Sequence, residues 1–403
     1  MRRVVVTGIG VICAIGRNRA EFTRALREGR CGISHIDNVE KYDLRFENGC
    51  EIKNFDAIDY MPAREADMLD RFAQFALIAA REAVAHSGIE WTPELRDTTA
   101  IVTGSCVGGK NTENQGFWDV YKMGRSRVHP MTIPKSMANA GASAISLAFG
   151  ITGPAFTIST ACASSAHAIG QAFTMVRSGM CDVAITGGSE ATFSHGILKA
   201  WEAMRVVSPT VCRPFSRDRN GMILGEGAAM LIIENLDHAS ARGAAPLAEI
   251  AGFGMSSDAH HITQPSAEGA AKAMRFAMCD AHILPEQVGY INAHGTGTSV
   301  NDCTETGALH MAFGAHAPKL AISSTKAMHG HTLGAAGAIE AAATILSVNN
   351  GFLPPTIHFN EPDPECDLDY IPNEARNGDV EYALSNSFAF GGLNAVLALR
   401  FAS

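Results

Sequence analysis

The chain alternates two kinds of hydrophobic pattern along its length. Short apolar runs, several of them β-branched, predict buried strands at residues 4–7, 100–103, 155–158, 183–186 and 228–233. Longer segments with apolar residues at helical spacing predict helices at residues 71–87, 164–177 and 197–204. This alternation is typical of an α/β protein with helices covering buried sheets.

A second series of the same kind follows residues 239–243. Its strands are predicted at residues 248–252, 289–292, 321–323 and 395–401, and its helices at 269–280, 302–313 and 335–349. We therefore expect two similar halves, residues 1–243 and residues 244–403. No repeated sequence is visible, so only the order of the elements supports this expectation.

Composition limits the function classes. The 403 residues are 46% hydrophobic and 18% charged, which is typical of a globular chain long enough for two cores. The net charge of −9 and the lack of a Lys/Arg-rich run argue against a nucleic-acid partner. No apolar run approaches the length of a membrane span. The ten cysteines include no CxxC pair, which favours reduced thiols and a cytoplasmic location.

Two glycine-containing strings resemble nucleotide-binding loops but lack essential residues. In the string that starts at Gly8 and Gly10, Cys13 stands where the third glycine would be. In the string that starts at Gly104, Asn111 replaces the Ser or Thr that binds magnesium. We expect these glycines to serve tight turns after strands and not a nucleotide site.

Cys162 occupies a position that suits a nucleophile. It lies in Thr-Ala-Cys-Ala-Ser-Ser, directly after the predicted strand 155–158 and before the predicted helix 164–177. A sulfur near a helix N-terminus experiences backbone N–H groups and the helix dipole, which favour the thiolate. The small neighbours leave room for a substrate.

Two histidines could assist this cysteine. His294 follows the predicted strand 289–292 at the start of a Gly/Thr loop, and His331 lies in a small-residue loop that also contains Lys326. One cysteine and two histidines are compatible with a zinc site, although no short ligand pair is present. They are also compatible with a protease-like Cys-His pair, which leaves one histidine unexplained. Residue types and spacing leave both open.

Several longer motifs narrow the choice. They are Thr160–Ser165, Asn292–Thr296, Ser324–His331, Gly334–Glu340 and Asn386–Gly392, together with Gly225–Gly227 and Cys212–Phe215. Jointly they resemble the elongating β-ketoacyl-[acyl-carrier-protein] synthases of the thiolase-like condensing enzymes. The resemblance runs from Val4 to Phe401.

The resemblance implies a five-layer αβαβα fold built from two similar halves, and a homodimer. It also implies a decarboxylative condensation, in which Cys162 takes an acyl chain from acyl carrier protein and malonyl-carrier protein then adds two carbons. His294 and His331 would stabilise the oxyanion of decarboxylation, with Lys326 and Glu340 as a charged pair beside them. No metal or redox cofactor is expected, because the substrates arrive on the phosphopantetheine of the carrier.

The resemblance assigns further site residues. The backbone N–H groups of Cys162 and Phe390 would form the oxyanion hole, and Phe390 would also gate the acyl pocket. Thr296 and Thr298 would hydrogen-bond the phosphopantetheine arm, and Phe388 would contact substrate.

Other assignments concern the acyl pocket and the carrier. Val107 and Trp201 are expected in the pocket wall. Arg64 and Arg205 are expected to contact the acidic carrier protein.

Four residues depart from the family pattern. Ala389 replaces a glycine before the gating phenylalanine, and Leu393 replaces a threonine. Asp67 and Met68 stand where cations would face the carrier. We interpret these changes as a stiffer gate, a dedicated carrier protein and a specialised, for example unsaturated, acyl chain. Synthases of the nodulation or polyene type are the nearest in kind.

Two alternatives stay open. A thiolase-type acyl-CoA transferase would need a second catalytic cysteine, and Cys303 and Cys366 lack the matching context. The chain could also be the active subunit of a heterodimer of a ketosynthase and a chain-length factor.

Overall fold

The computed structural model describes residues 2–37 and 43–402. Its strands are β1 Val4–Cys13, β2 Ser34–His35, β3 Asn48–Gly49, β4 Ala100–Gly104, β5 Ala155–Ile158, β6 Val183–Glu190, β7 Gly227–Asn235, β8 Ala248–Ser257, β9 Val288–Asn292, β10 Ala321–Ser323, β11 Phe352–Leu353, β12 Arg376–Asn377, β13 Tyr382–Ala389 and β14 Leu393–Arg400. Its α-helices are α1 Arg19–Glu28, α2 Ala63–Asp67, α3 Arg71–Ser87, α4 Pro93–Thr98, α5 Lys110–Phe117, α6 Thr132–Ser136, α7 Ala140–Phe149, α8 Ser164–Ser178, α9 His195–Met204, α10 Leu236–Ala241, α11 Ala267–Asp280, α12 Ser299–Phe313, α13 Lys326–His329 and α14 Ala336–Asn349.

Ten of these strands form two sets of five with the same topology. The first set has the order β5-β4-β6-β7-β1, and the second has the order β10-β9-β13-β14-β8. In each set the first three strands pair in parallel and the remaining pairings are antiparallel. The sets join where Val4–Val6 pairs with Ala248–Ile250. The predicted division at residue 243 lies between α10 and β8.

The helices form three layers around these two sets of strands. Helices α3 and α7 pack on the outer face of the first set, and α11 and α12 pack on that of the second. Helices α8 and α14 lie between the two sets. Residues 336–348 of α14 are all buried, because this helix is packed between the two sets of strands. The architecture is the predicted thiolase-like five-layer αβαβα fold.

The prediction that Gly8 and Gly10 serve a turn is wrong, because β1 continues through both to Cys13. A Cβ atom on Gly8 would lie 2.2 Å from the carbonyl oxygen of Ala83, and one on Gly10 would lie 2.0 Å from that of Ala79. These glycines therefore allow α3 to lie directly against the strand. Within the described residues no helix is both long enough and apolar enough to cross a bilayer.

Candidate active site

Cys162 lies in a tight turn between β5 and α8. Ala161 has a left-handed backbone with φ of +48°. The hydroxyl of Ser164 donates to the Ala161 carbonyl at 2.7 Å and accepts from the Thr160 N–H at 2.9 Å. The turn presents Cys162, which is 6% exposed, at the N-terminal end of α8.

The Cys162 thiol is neutral in the resting site. Burial raises its pKa to about 11, although Lys326 and the backbone N–H groups of Phe390 and Cys162 act to lower it. The expectation of a resting thiolate is therefore wrong, since desolvation outweighs the charges and dipoles around the sulfur. The proton must leave as the sulfur attacks.

The two predicted histidines meet beside this cysteine. The backbone N–H groups of His294 and Gly295 both donate to the carboxylate of Glu305 at 2.8 Å. These bonds fix the loop after β9 on α12. The backbone N–H of His331 donates to the Ile223 carbonyl at 2.7 Å. The imidazole rings of His294 and His331 lie 5.5 Å apart, nearly perpendicular, and line the same cavity as Cys162.

Both imidazoles are neutral at physiological pH. Burial, and then the charge of Lys326, lower the pKa of His294 and that of His331 well below 6.5. Each neutral ring retains one N–H donor and one acceptor nitrogen. Neither Nδ1 atom has a hydrogen-bond partner among the described residues.

Lys326 and Glu340 form a fully buried ion pair below these histidines. Lys326 begins α13, and Glu340 belongs to α14. Burial raises the pKa of Glu340 to about 7, and Lys326 opposes that rise. The pair brings a fixed positive charge to the site and holds α13 to the central helix α14.

We expect Lys326→Met to lower the free energy of unfolding by about 3–5 kcal/mol, because it leaves Glu340 buried without a cation. The double variant Lys326→Met/Glu340→Leu should recover most of this loss, since neither charge then remains. Urea unfolding of the two variants checks this. A double variant no more stable than the single one would contradict the role of the pair.

A cavity of about 320 Å³ leads from the surface to Cys162. Five predicted residues line it together with the cysteine and the two histidines; they are Thr296, Thr298, Trp201, Phe388 and Phe390. The Trp201 and Phe390 rings stack at 6.1 Å. Val107 does not line this cavity, and its N–H donates instead to the buried carboxylate of Glu190.

Two glycines directly follow Phe390. Gly391 and Gly392 have φ of +83° and +70°, whereas Ala389 is the last residue of β13 and pairs with Leu393. The interpretation that Ala389 stiffens the gate stays a prediction. The Gly391 N–H donates to the Ile262 carbonyl at 2.7 Å, so the segment is fastened to a neighbouring loop.

Some site residues escaped the sequence analysis. Residues 261–265 line the cavity mouth, but their polar sequence carries no distinguishing pattern. Asp302 and Glu305 hold the histidine loop through backbone N–H groups. A sequence signal for Asp302 and Glu305 was available. They are two acids three residues apart on one predicted helix, directly after a Gly/Thr loop.

The predicted carrier-contact residues are both exposed. Arg205 follows α9 directly, and its neighbour Met204 lines the cavity. Arg64 and Asp67 are exposed on α2, and Met68 is 41% exposed. The imidazole of His129 lies 3.4 Å from the carboxylate of Asp67.

The five-layer fold and the Cys-His-His site define a thiolase-like condensing enzyme. The patterns of the β-ketoacyl synthase N-terminal domain and C-terminal domain match residues 1–239 and 247–360. The chain belongs to the β-ketoacyl synthase family. It is a condensing acyltransferase that elongates acyl chains as a 3-oxoacyl-[acyl-carrier-protein] synthase.

Individual relatives cover almost the whole chain. It is 45% identical over 401 residues to nodulation protein E of Rhizobium sp. (strain N33), covering 99% of each sequence. It is 42% identical over 407 residues to 3-oxoacyl-[acyl-carrier-protein] synthase 2 of Staphylococcus aureus (strain COL), covering 99% of this chain and 98% of that protein.

Solved structures agree with this family. The ishigamide ketosynthase/chain length factor is similar with a TM-score of 0.94 and 36% identity, over 100% of each chain. A type II polyketide acyl-carrier protein in complex with its ketosynthase bound to the hexaketide includes a chain with a TM-score of 0.90 and 31% identity, also over 100% of each. A subunit of a ketosynthase/chain-length-factor pair is compatible with these neighbours.

Proposed function

We propose that Cys162 carries the growing chain and that His294 and His331 act on the malonyl unit. Two neutral imidazoles on the cavity that Cys162 lines are the observation that supports this division of roles. In the first half-reaction the sulfur attacks the carrier thioester. A neutral imidazole accepts the thiol proton and passes it to the departing carrier thiolate.

The oxyanion of this first step would accept hydrogen bonds from the backbone N–H groups of Cys162 and Phe390. Both groups already act on the Cys162 sulfur and lower its pKa, so they point to the place where the oxyanion forms.

In the second half-reaction malonyl-carrier protein loses carbon dioxide. Negative charge moves to the thioester oxygen, where the N–H donors of His294 and His331 stabilise it. The carbanion attacks the acyl carbon on Cys162, the carbon–sulfur bond breaks, and the released thiolate takes up a proton from water. The proposed cycle requires no metal or redox group. Thr296 and Thr298 would hold the phosphopantetheine arm.

The pH dependence of decarboxylation tests the neutral imidazoles. A histidine with a lowered pKa becomes charged only when the pH falls below that lowered value. Glu340, whose pKa burial raises to about 7, titrates in this range, so we expect the decarboxylation rate to vary by less than about tenfold between about pH 6 and about pH 8. A tenfold fall on going to the lower pH, measured as carbon dioxide release, would contradict this.

We infer that the chain is specialised in its acyl substrate and in its carrier. The stacked rings of Trp201 and Phe390 present flat apolar faces beside the sulfur, which suits an unsaturated chain. On the carrier side, Asp67 and Met68 weaken the positive rim around Arg64.

Mass spectrometry of acyl-Cys162 after incubation with a panel of acyl-carrier proteins tests this specialisation. We expect one carrier and one chain class to label the protein fastest. Equal turnover with the housekeeping carrier of the same cell would contradict it.

Arg205 provides a sharper test of docking. Arg205→Glu should raise the KM for acyl-carrier protein about tenfold, because it places a like charge opposite an acidic partner. The rate with a carrier-free acyl-pantetheine should stay unchanged. Arg24→Glu, on α1, is the matched control and should change neither. An equal loss with both substrates would assign Arg205 to the site instead of to docking.

A homodimer is the expected assembly. The edge strand β5 carries exposed Phe156, and the nearby α7 carries Leu147, which is 84% exposed. A second copy, or a chain-length-factor-like subunit, would cover this edge. Native mass measurement separates the two cases. A cytoplasmic location stays a prediction.

A further inference from the structure

A second cluster of reactive side chains lies between α12 and residues 361–369, and none of its members lines the cavity of Cys162. The sulfurs of Cys303 and Cys366 and a carboxylate oxygen of Asp363 all lie within 4.8 Å of one another. Cys366 is buried, whereas Cys303 is only partly buried and so is accessible to a small solute. No other group of this kind occurs in residues 2–37 and 43–402.

The guanidinium of Arg219 contacts this cluster and supplies the positive charge that a metal ion would otherwise bring. One guanidinium nitrogen donates to the Cys303 sulfur at 2.9 Å, and another donates to the Asp363 carboxylate. The arginine side chain is only 4% exposed, so its charge is held in place. A fixed guanidinium opposes the binding of a metal ion and lowers the cost of ionising the Cys303 thiol, although burial still raises the pKa of that thiol.

A turn between Asp363 and Cys366 positions the second sulfur, that of Cys366. The Cys366 N–H donates to the Asp363 carbonyl at 2.9 Å, so this segment needs little further ordering to reach Cys303. Burial raises the pKa of both thiols, and Arg219 opposes that rise at each. Cys303 is the more exposed sulfur and the one that contacts the guanidinium, which makes it the first to react.

We propose that Cys303 and Cys366 form a reversible disulfide when the protein meets hydrogen peroxide. The Cys303 thiol loses its proton as its sulfur attacks peroxide, a sulfur–oxygen bond forms as the oxygen–oxygen bond breaks, and the released hydroxide takes up a proton and becomes water. The Cys366 thiol then attacks the sulfenic sulfur and releases a second water. Two thiols are oxidised and one peroxide is reduced.

The bond would tie residues 361–369 to the helix that supports the catalytic histidine. Helix α12 bears Asp302, which accepts from the Gly297 N–H, and Glu305, which accepts from the His294 N–H. The disulfide would therefore restrain α12, the helix that holds the loop of His294, although neither cysteine lines the cavity.

Peptide mapping under non-reducing conditions tests the proposal on the full chain. After peroxide treatment we expect one peptide pair that joins Cys303 to Cys366, absent in Cys303→Ser and in Cys366→Ser and reversed by dithiothreitol. Cys279→Ser, at an exposed cysteine on α11, is the matched control and should keep the pair.

Thermal unfolding provides a second measurement. The Tm of the oxidised protein should rise by several degrees, because the cross-link restricts the unfolded chain, and it should not rise in Cys366→Ser. Oxidation of Cys279 without the Cys303–Cys366 pair would overturn the proposal. One tightly bound zinc ion on the reduced protein, lost in both serine variants, would overturn it in favour of a metal site.

Discussion

Cys162→Ala is expected to lower the rate of condensation by at least about 10⁴-fold, because no other group can then hold the acyl chain. The acyl-enzyme should disappear from the mass spectrum at the same time. Malonyl decarboxylation should persist at a measurable rate, since the two histidines that stabilise its oxyanion remain in place.

Cys106→Ala is the matched control for that variant. The Cys106 side chain packs against the same apolar cluster as Cys162 and is also a thiol. Burial raises its pKa beyond that of Cys162, and the carboxylate of Glu190 adds to the rise, which leaves Cys106 unreactive. We expect acyl-enzyme formation to survive this change. Condensation by Cys162→Ala, or loss of the acyl-enzyme in Cys106→Ala, would refute the assignment of the nucleophile.

The second large effect concerns the histidines. His294→Ala and His331→Ala should each slow malonyl decarboxylation by about 10²–10³-fold, which is the usual cost of removing one oxyanion donor from a buried site. Some transfer of the acyl chain to Cys162 should remain, because backbone N–H groups serve that oxyanion. Carbon dioxide release and acyl-enzyme mass, measured on the same samples, separate the two half-reactions.

His261→Ala controls for the loss of an imidazole at this cavity. His261 lines the cavity mouth and is exposed, so its removal should leave decarboxylation within about threefold of the native rate. If His294→Ala or His331→Ala abolished acyl transfer as completely as decarboxylation, the proposed division of roles would fail. A folded variant is confirmed by its near-UV circular dichroism.

Hydrophobic periodicity predicted the elements that form the layers of the fold. The predicted helix at residues 71–87 matches α3, and the predicted strand at 155–158 matches β5. Such patterns are local, because an apolar run repeats at the spacing of its own backbone. Strand β13 was missed, since its Ser and Asn residues interrupt the apolar run even though every residue in it is buried.

Residue types and motifs, read with the family resemblance, predicted Cys162 as the nucleophile and both histidines beside it, and they predicted the buried Lys326–Glu340 pair. The tertiary structure decided their electrostatic state. Cys162 is a resting thiol and the histidines are neutral because burial among distant segments changes each pKa, and no local pattern reports that burial.

The chain by itself therefore determined the fold class and the chemical groups of the site. Only the folded structure decided which residues line the cavity. Trp201 reached the cavity and Val107 did not. The reason is physical: side-chain chemistry and backbone period are properties of neighbouring residues, whereas desolvation and cavity shape arise when segments far apart in sequence pack together.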